Sequence, residues 1–565
     1  MELPGRLEDL LKQASGLLDE AATVIRDLGI APHQNVRSIG EALAMISDVR
    51  TAIYQQYPDV KPDFLREPTQ ATMLGDLHPE LFRMYGNQVV DWIASYLTDP
   101  ERFPVLARVK PGEVRAALPA SAPDDPEPLD RMLADFERLI LPGMTHWNHP
   151  GFFAYFSISG SAPGILGELL CAALNVNAML WRTSPAATEL EEVVLDWLRK
   201  LLSLPAAFHG VIYDTASIST LCALAAAREA AGHDLREQGM AGRADVPRLR
   251  VYTSEQAHNS VDKAAIILGF GREGVRKIPT DDEFRMDPVA LARAIAEDRA
   301  AGWQPVAVCA TVGTTGTTSI DPVPAVADIA AREGLWLHVD AAYGGVAAIV
   351  PERREVLAGC DRADSIVVNP HKWLFTPIDC SVLFCRRPDV LKRAFTLVPS
   401  FLQTPEGGAV ENYMDWGPQL GRRFRALKLW MVLRAFGRSG IEARLREHMR
   451  LGRLFASWVD ADPDWERVAP VPFSTVVFRL RPGGWAANDP RLAGLNERLL
   501  EAVNASGEAF LSHVVLRGRY AIRLAIGNIR TEERHVQRAW EILRAEALRL
   551  GALPTHVAGG STTVP

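Results

Sequence analysis

Residues 365–375 read SIVVNPHKWLF, and the rest of the chain is best understood from this stretch outward. A short apolar run, Ser365 to Val368, ends at Asn369-Pro370, and a single lysine, Lys372, follows between His371 and Trp373. An ammonium group is costly to remove from water. A lysine set among Val367, Val368, Trp373 and Leu374 therefore either reaches solvent along its own stem or has a chemical use. Desolvation makes a lysine lose its proton more readily and turns it into a nucleophile that can form a Schiff base with a carbonyl.

Which of the two applies depends on what the chain brings to the same place. Residues 209–227, HGVIYDTASISTLCALAAA, read as a strand, a turn of small hydroxyl residues and an alanine-rich helix. Strand-like runs then alternate with helical ones: LRVYTSEQAHNS with VDKAAIILG, QPVAVCATVGTTGTTSID with PAVADIAARE, then LWLHVDAAYGG and SIVVNPHKWL. This alternation predicts βαβ units and a largely parallel sheet. Ligands of such sheets bind beyond the carboxyl ends of the strands. His258, Thr315, Asp340 and Lys372 each fall at or just past the carboxyl end of a separate predicted strand, so one fold convention gathers all four at one edge. Thr215, Ala216, Ser217 and Ser219 open the alanine-rich helix, where free amides and the helix dipole suit a phosphate, though ordinary capping would use the same residues.

Composition narrows the function classes. The chain has 565 residues and a net charge of −8, which argues against a nucleic-acid partner. Its six cysteines show neither CxxC nor Cys/His spacing, which suits reduced thiols rather than a disulfide frame or a zinc site. The first residues are acidic early, with no basic start followed by an apolar run. No stretch reaches the roughly 20 uncharged apolar residues of a membrane span, so a cytoplasmic protein is expected. Five parts are predicted: an N-terminal helical extension over 1–75 with two amphipathic helices, a helical arm and linker over 76–144, a large cofactor-binding domain over 145–440, a small α+β domain over 441–550, and an unstructured tail over 551–565. The segment GRRFRALKLWMVLRAFG, 421–437, reads as a long helix with a basic face and a hinge near Gly437 to Gly440. The aromatic segment THWNHPGFFAYFSISGSAPG, 145–164, suits core packing, with one or two rings free to line a pocket for a flat substrate.

NPHKW at 369–373, HVDAAYGG at 338–345, SEQAHNS at 254–260 and LGRRFRALKLW at 420–430 together resemble the pyridoxal-phosphate-dependent group II decarboxylases, specifically the aromatic L-amino acid decarboxylases. The resemblance runs from about His78 to Leu548. It implies a fold type I, aminotransferase-like α/β enzyme, acting as a homodimer. By this resemblance Lys372 carries the Schiff base to pyridoxal 5'-phosphate and Asp340 pairs with the pyridine nitrogen. Ala342 lies against the ring, His258 stacks on its other face, and Thr315 approaches the phenolic oxygen or the substrate carboxylate. Ala216, Ser217, Asn369 and His371 hold the phosphate. Trp147, Tyr155, Phe156, Met179 and Thr315 are the substrate-pocket candidates, and Gln419 is expected to reshape that pocket. Reading without gaps from Lys372, the family's loop tyrosine is replaced by Phe401, which donates no proton. Relatives with this change resemble aromatic aldehyde synthases, which use dioxygen and release aldehyde, carbon dioxide, ammonia and hydrogen peroxide. The alternative is plain decarboxylation to the arylalkylamine, and among phenylalanine, tyrosine, dopa and tryptophan the apolar lining favours phenylalanine.

Overall fold

The computed structural model describes residues 2–28, 76–397 and 402–553 apart from 403 and 407, with scattered positions between 39 and 60. It forms two compact units, Met1–Asp99 with Arg108–Met144, and Pro100–Ala107 with Thr145–Pro565. In the first unit the amphipathic helix Glu2–Leu28 exposes Leu3, Leu10 and Leu17 and buries Glu8, whose carboxylate accepts from Arg50 Nη2 at 2.8 Å. The expected second amphipathic helix lies largely outside the described residues. The helix Pro79–Thr98 begins with proline at its first position, and His78 Nδ1 accepts from the Glu80 amide as a cap. Of the proline- and aspartate-rich stretch ALPASAPDDPEPLD, 117–130, which reads as an extended linker, residues 118–128 carry no helix or strand, while Ala117 ends one helix and Leu129 opens the next.

The second unit is built on a seven-stranded sheet. Its strands are β1 (His209–Tyr213), β2 (Arg248–Ser254), β3 (Val275–Ile278), β4 (Trp303–Thr311), β5 (Trp336–Asp340), β6 (Ser365–Val368) and β7 (Ser381–Cys385). They lie in the order β1-β7-β6-β5-β4-β2-β3. The run β6-β5-β4-β2-β3 is parallel throughout, and β7 runs antiparallel to both β6 and β1. β5, β6 and β7 are buried along their whole length, which is why they read as continuous apolar runs rather than alternating ones. The helix Ala216–Ala230 crosses beneath β1, β7, β6, β5 and β4, and its buried run Cys222 to Ala227 is small enough for close approach. β3 and β7 are additions to the predicted strands. β3 is only VRKI, half charged, and β7 follows a short connection with a single helical turn, Pro370–Trp373, instead of the long helical crossover that flags a parallel neighbour.

A second, antiparallel sheet follows. It comprises β8 (Trp465–Arg467), β9 (Thr475–Leu480), β10 (Ser512–Leu516) and β11 (Arg519–Ala525), in the order β10-β11-β9-β8. The helices Arg491–Ala505 and Glu533–Arg549 pack on it. The long helix Ala426–Ala461 is broken at Gly437, which takes φ 57°, ψ 175°. It starts at Ala426 rather than 421, and the predicted basic face is corrected in part, since only Arg423 and Arg434 among the charges of 421–437 are exposed. Arg422, Arg425 and Lys428 are buried and matched to Glu191, Asp379 and Glu168, so this charge is internal wiring rather than surface. All six cysteines are buried and unpaired. Among the described residues no helix is long and apolar enough to cross a membrane. The predicted tail from 554 onward lies outside the described residues.

Candidate active site

The parallel sheet gathers the predicted residues at one edge. His258 lies four residues beyond the end of β2, Thr315 four beyond β4, Lys372 four beyond β6, and Asp340 is the last residue of β5. Backbone bonds tie these ends together: the Ala341 amide donates to Val367 O at 3.0 Å and the Asn369 amide to Ala342 O at 3.1 Å. Lys372 sits on a single helical turn, Pro370–Trp373, held by its amide donating to Asn369 O at 2.9 Å. The glycine after Tyr343 is required by space. A Cβ on Gly344 would stand 2.6 Å from Val312 O and 2.8 Å from Phe473 Cζ.

Asp340 is 8% exposed, and its Oδ1 accepts from the Ala342 amide at 3.1 Å. Lys372 Nζ lies 5.2 Å from the centre of the Phe156 ring. Burial lowers the Lys372 pKa, with the Asp340 charge opposing and Arg523 adding to the fall. His258 opens on solvent at one side, yet the protein packed around it lowers its pKa, with Asp340 opposing and Lys372 adding. Its Nδ1 accepts from the Ser260 amide at 3.1 Å, so the neutral ring carries its proton on Nε2. Asp340, Lys372, His258 and Arg523 thus share one electrostatic neighbourhood.

A polar chain joins this edge to the alanine-rich helix. Ser219 Oγ and Ser381 Oγ lie 2.8 Å apart, Ser381 Oγ donates to Asn369 Oδ1 at 2.7 Å, and Asn369 Nδ2 lies 3.2 Å from His371 Nε2. His371 Nδ1 accepts from the Cys380 amide at 2.8 Å, and burial lowers its pKa to about 3. The helix Ala216–Ala230 starts beside this chain without a side-chain cap from Thr215. Ala216 and Ser217 stand in its first turn, where amide donors suit a phosphate. An uncapped helix start, a desolvated lysine and a buried carboxylate fit the three ends of pyridoxal phosphate: phosphate, aldehyde and ring nitrogen.

Arg523 is the residue that motif reading missed. It lies on β11, 3% exposed, with its guanidinium 4.5 Å from the centre of the Phe156 ring. It donates to the carbonyls of Tyr155 and Gly316, while Nη2 is buried without a partner. Burial lowers its pKa to about 10. The signal was present: YAIRLAIG sets an arginine inside an apolar strand, the same anomaly that singles out Lys372.

The pocket candidates divide. Phe156 stacks on Tyr343 at 3.9 Å, and Tyr343 on Trp373 at 4.8 Å, which places Phe156 at the site. Trp147 stacks on Phe152 at 4.2 Å and on Tyr155 at 6.0 Å, and Tyr155, 55% exposed with φ 51°, lends its carbonyl to Arg523. Thr315 is exposed at a turn tip beside Gly316. Met179 packs with Leu180, Leu402 and Met414, and Gln419 donates to Asp214 Oδ2 at 3.1 Å, just ahead of the phosphate-side helix. Phe401 lies outside the described residues. A cleft of about 540 Å³ lined by Gln304, Trp336, Asp364 and Arg386 sits at the amino ends of β4 and β5, the opposite sheet edge from Lys372.

Comparisons with known proteins give relatives over most of the chain. Residues 111–481 match the model of the pyridoxal-dependent decarboxylase conserved domain. The chain is 41% identical over 498 residues to phenylacetaldehyde synthase of a Rosa hybrid cultivar, covering 86% of this chain and 97% of that one. It is 43% identical over 486 residues to tyrosine decarboxylase 4 of Petroselinum crispum, covering 84% and 94%. A crystal structure of Oryza sativa TDC with PLP and tryptamine superposes with a TM-score of 0.81 at 40% identity, covering 84% of this chain and 99% of that one.

Proposed function

Because the chain belongs to the pyridoxal-phosphate-dependent decarboxylases, we propose that it decarboxylates aromatic L-amino acids and, with Phe401 in the loop, releases the aromatic aldehyde rather than the amine. When bound, pyridoxal phosphate supplies an electron-withdrawing ring that accepts the electron pair freed as the carboxylate leaves. Lys372, kept readily deprotonated by burial, would hold the group at its aldehyde carbon. Asp340 would face the ring nitrogen and hold a proton there, and Ala342 would leave room for the ring against the sheet edge. His258 covers the other face with its Nε2–H. The amides of Ala216 and Ser217, with Asn369 and His371, hold the phosphate. Thr315 stands at the mouth beside the phenolic oxygen.

The unpartnered Nη2 of Arg523 is placed to take the substrate's carboxylate, and the rings of Phe156, Tyr155 and Trp147 favour an aromatic side chain beyond it. Met179 lines the outer wall.

The observation that carries the aldehyde reading is Phe401. A phenyl ring can neither give nor take a proton, so the decarboxylated carbon stays electron-rich and open to dioxygen. One amino acid, one dioxygen and one water then give aldehyde, carbon dioxide, ammonia and hydrogen peroxide, with the amine carbon oxidised and dioxygen reduced. The second reading, simple decarboxylation with His258 or water as proton donor, is favoured by the equally similar tyrosine decarboxylase. Phenylalanine is the leading substrate.

A cytoplasmic homodimer is the working assembly. The helix Ala162–Leu174 leaves Leu166, Leu169, Leu170 and Leu174 about half exposed on one stripe, which a second copy would cover. Holoenzyme supplied with air and phenylalanine, tyrosine, dopa or tryptophan should yield aldehyde and peroxide in equal amounts. Amine in stoichiometric yield without peroxide would overturn the aldehyde reading and leave the decarboxylase.

A further inference from the structure

β5 carries another buried titratable side chain, which the scheme above leaves without a role. His338 is fully buried two residues before Asp340, so both side chains face the same side of the sheet, about 6.6 Å apart along the strand. Its Nδ1 lies 2.9 Å from Ser365 Oγ, its paired neighbour on β6. Trp336 Nε1, which can only donate, reaches the same oxygen at 2.9 Å. His338 Nε2 meets no protein partner.

Counting protons settles the ring's tautomer. Ser365 Oγ receives the indole proton and still has its own to give. If it gives that proton to Nδ1, the ring's proton sits on Nε2 and one donor is left over. If Nδ1–H donates instead, to Oγ or to the Ser365 carbonyl, it is the Nε2 lone pair that is left buried beside the Asp340 charge. A negative charge nearby favours an N–H over a lone pair on Nε2, so the first arrangement prevails. Burial keeps the ring neutral, lowering its pKa to about 4, and the Asp340 charge is the main opposing influence. The other ionisable neighbour, Cys309, pairs with His338 from β4. Burial pushes its thiol up to about 12, so it brings no charge.

We propose that His338 is a positioning residue for Asp340: its Nε2–H, oriented by the Trp336–Ser365 relay, is a fixed dipole on the same face of β5 that keeps the carboxylate aimed at the cofactor's ring nitrogen. This rests on the assignment of Asp340 to that nitrogen.

Two substitutions separate this role from packing, because glutamine places an N–H where Nε2–H stands and asparagine places one where Nδ1 stands. Apo-protein is titrated with pyridoxal phosphate at about 420 nm, the pH midpoint of that band is recorded, and the melting of each apo-protein is compared. His338→Gln should bind the cofactor within about threefold of the parent, and His338→Asn about tenfold more weakly with a shifted midpoint, both melting alike. Equal behaviour of the two, whether parent-like or weakened in step with melting temperature, overturns the proposal. Should the asparagine variant fail to fold, Ser365→Ala carries the test. It frees the tautomer and should weaken binding about threefold, and no change in affinity or midpoint overturns the proposal. Parent-like binding and spectrum in Asp340→Asn would instead remove the assignment beneath it.

Discussion

Arg422 and Arg523 are both buried arginines, 6% and 3% exposed, and both stack on an aromatic ring. Their partners differ. Arg422 Nη2 donates to Glu191 Oε1 at 2.6 Å and to Ile212 O at 2.9 Å, and Nη1 to Ala178 O at 3.2 Å. Glu191 also accepts from the Ile212 amide at 2.9 Å. Arg523 has two carbonyls, no carboxylate and an unpartnered Nη2. A buried charge alone says little about function. A buried charge left incomplete points to something the folded chain does not itself contain.

The comparison can be broken in order of expected effect. Lys372→Ala, at the centre of the incomplete group, should abolish the band at about 420 nm and cut turnover by about 10⁴-fold or more, with melting little changed. A turnover loss under tenfold would move the chemistry elsewhere. Arg422→Met strands Glu191 in the core and should cost about 3–5 kcal/mol in denaturant unfolding, while the folded fraction keeps its kcat/KM. Arg523→Met should do the reverse, lowering kcat/KM about 100-fold with unfolding free energy unchanged or raised, since an unpaired buried charge is removed. If the two variants trade places, the distinction drawn here fails.

A further check is the pH profile of stability. His149, His338 and His448 are buried with pKa values lowered to about 4, and His371 to about 3. In the unfolded chain these histidines take up protons near 6.5, in the folded chain only well below it, so stability should fall as pH drops from about 6.5 toward 4. Asp321, raised by burial to about 7, acts in the opposite sense and offsets part of this. Thermal melts from pH 7.5 to 4.5 check it, and a flat profile would contradict it.

Much of this was legible because Lys372, Asp340 and the segments holding His258 and Thr315 follow apolar runs whose alternation with helices dictates parallel strands. The sheet then places their ends together whatever the loops do. Arg523 was not found that way. It enters from β11 of the second sheet, and only tertiary packing brings it to Phe156. Arg422 was misread as part of a basic face because its partner Glu191 lies 231 positions away, beyond the reach of helical periodicity. Met179 and Gln419 are pocket candidates only through the family resemblance, and their contacts, with Met414 and Asp214, lie far off in sequence.

The most direct measurement is where the cofactor is held. Protein loaded with pyridoxal phosphate, reduced with borohydride and digested, should give one pyridoxyl-modified peptide by mass spectrometry, with the label on Lys372. A label on another lysine such as Lys263 or Lys428, or none at all, would contradict the site described.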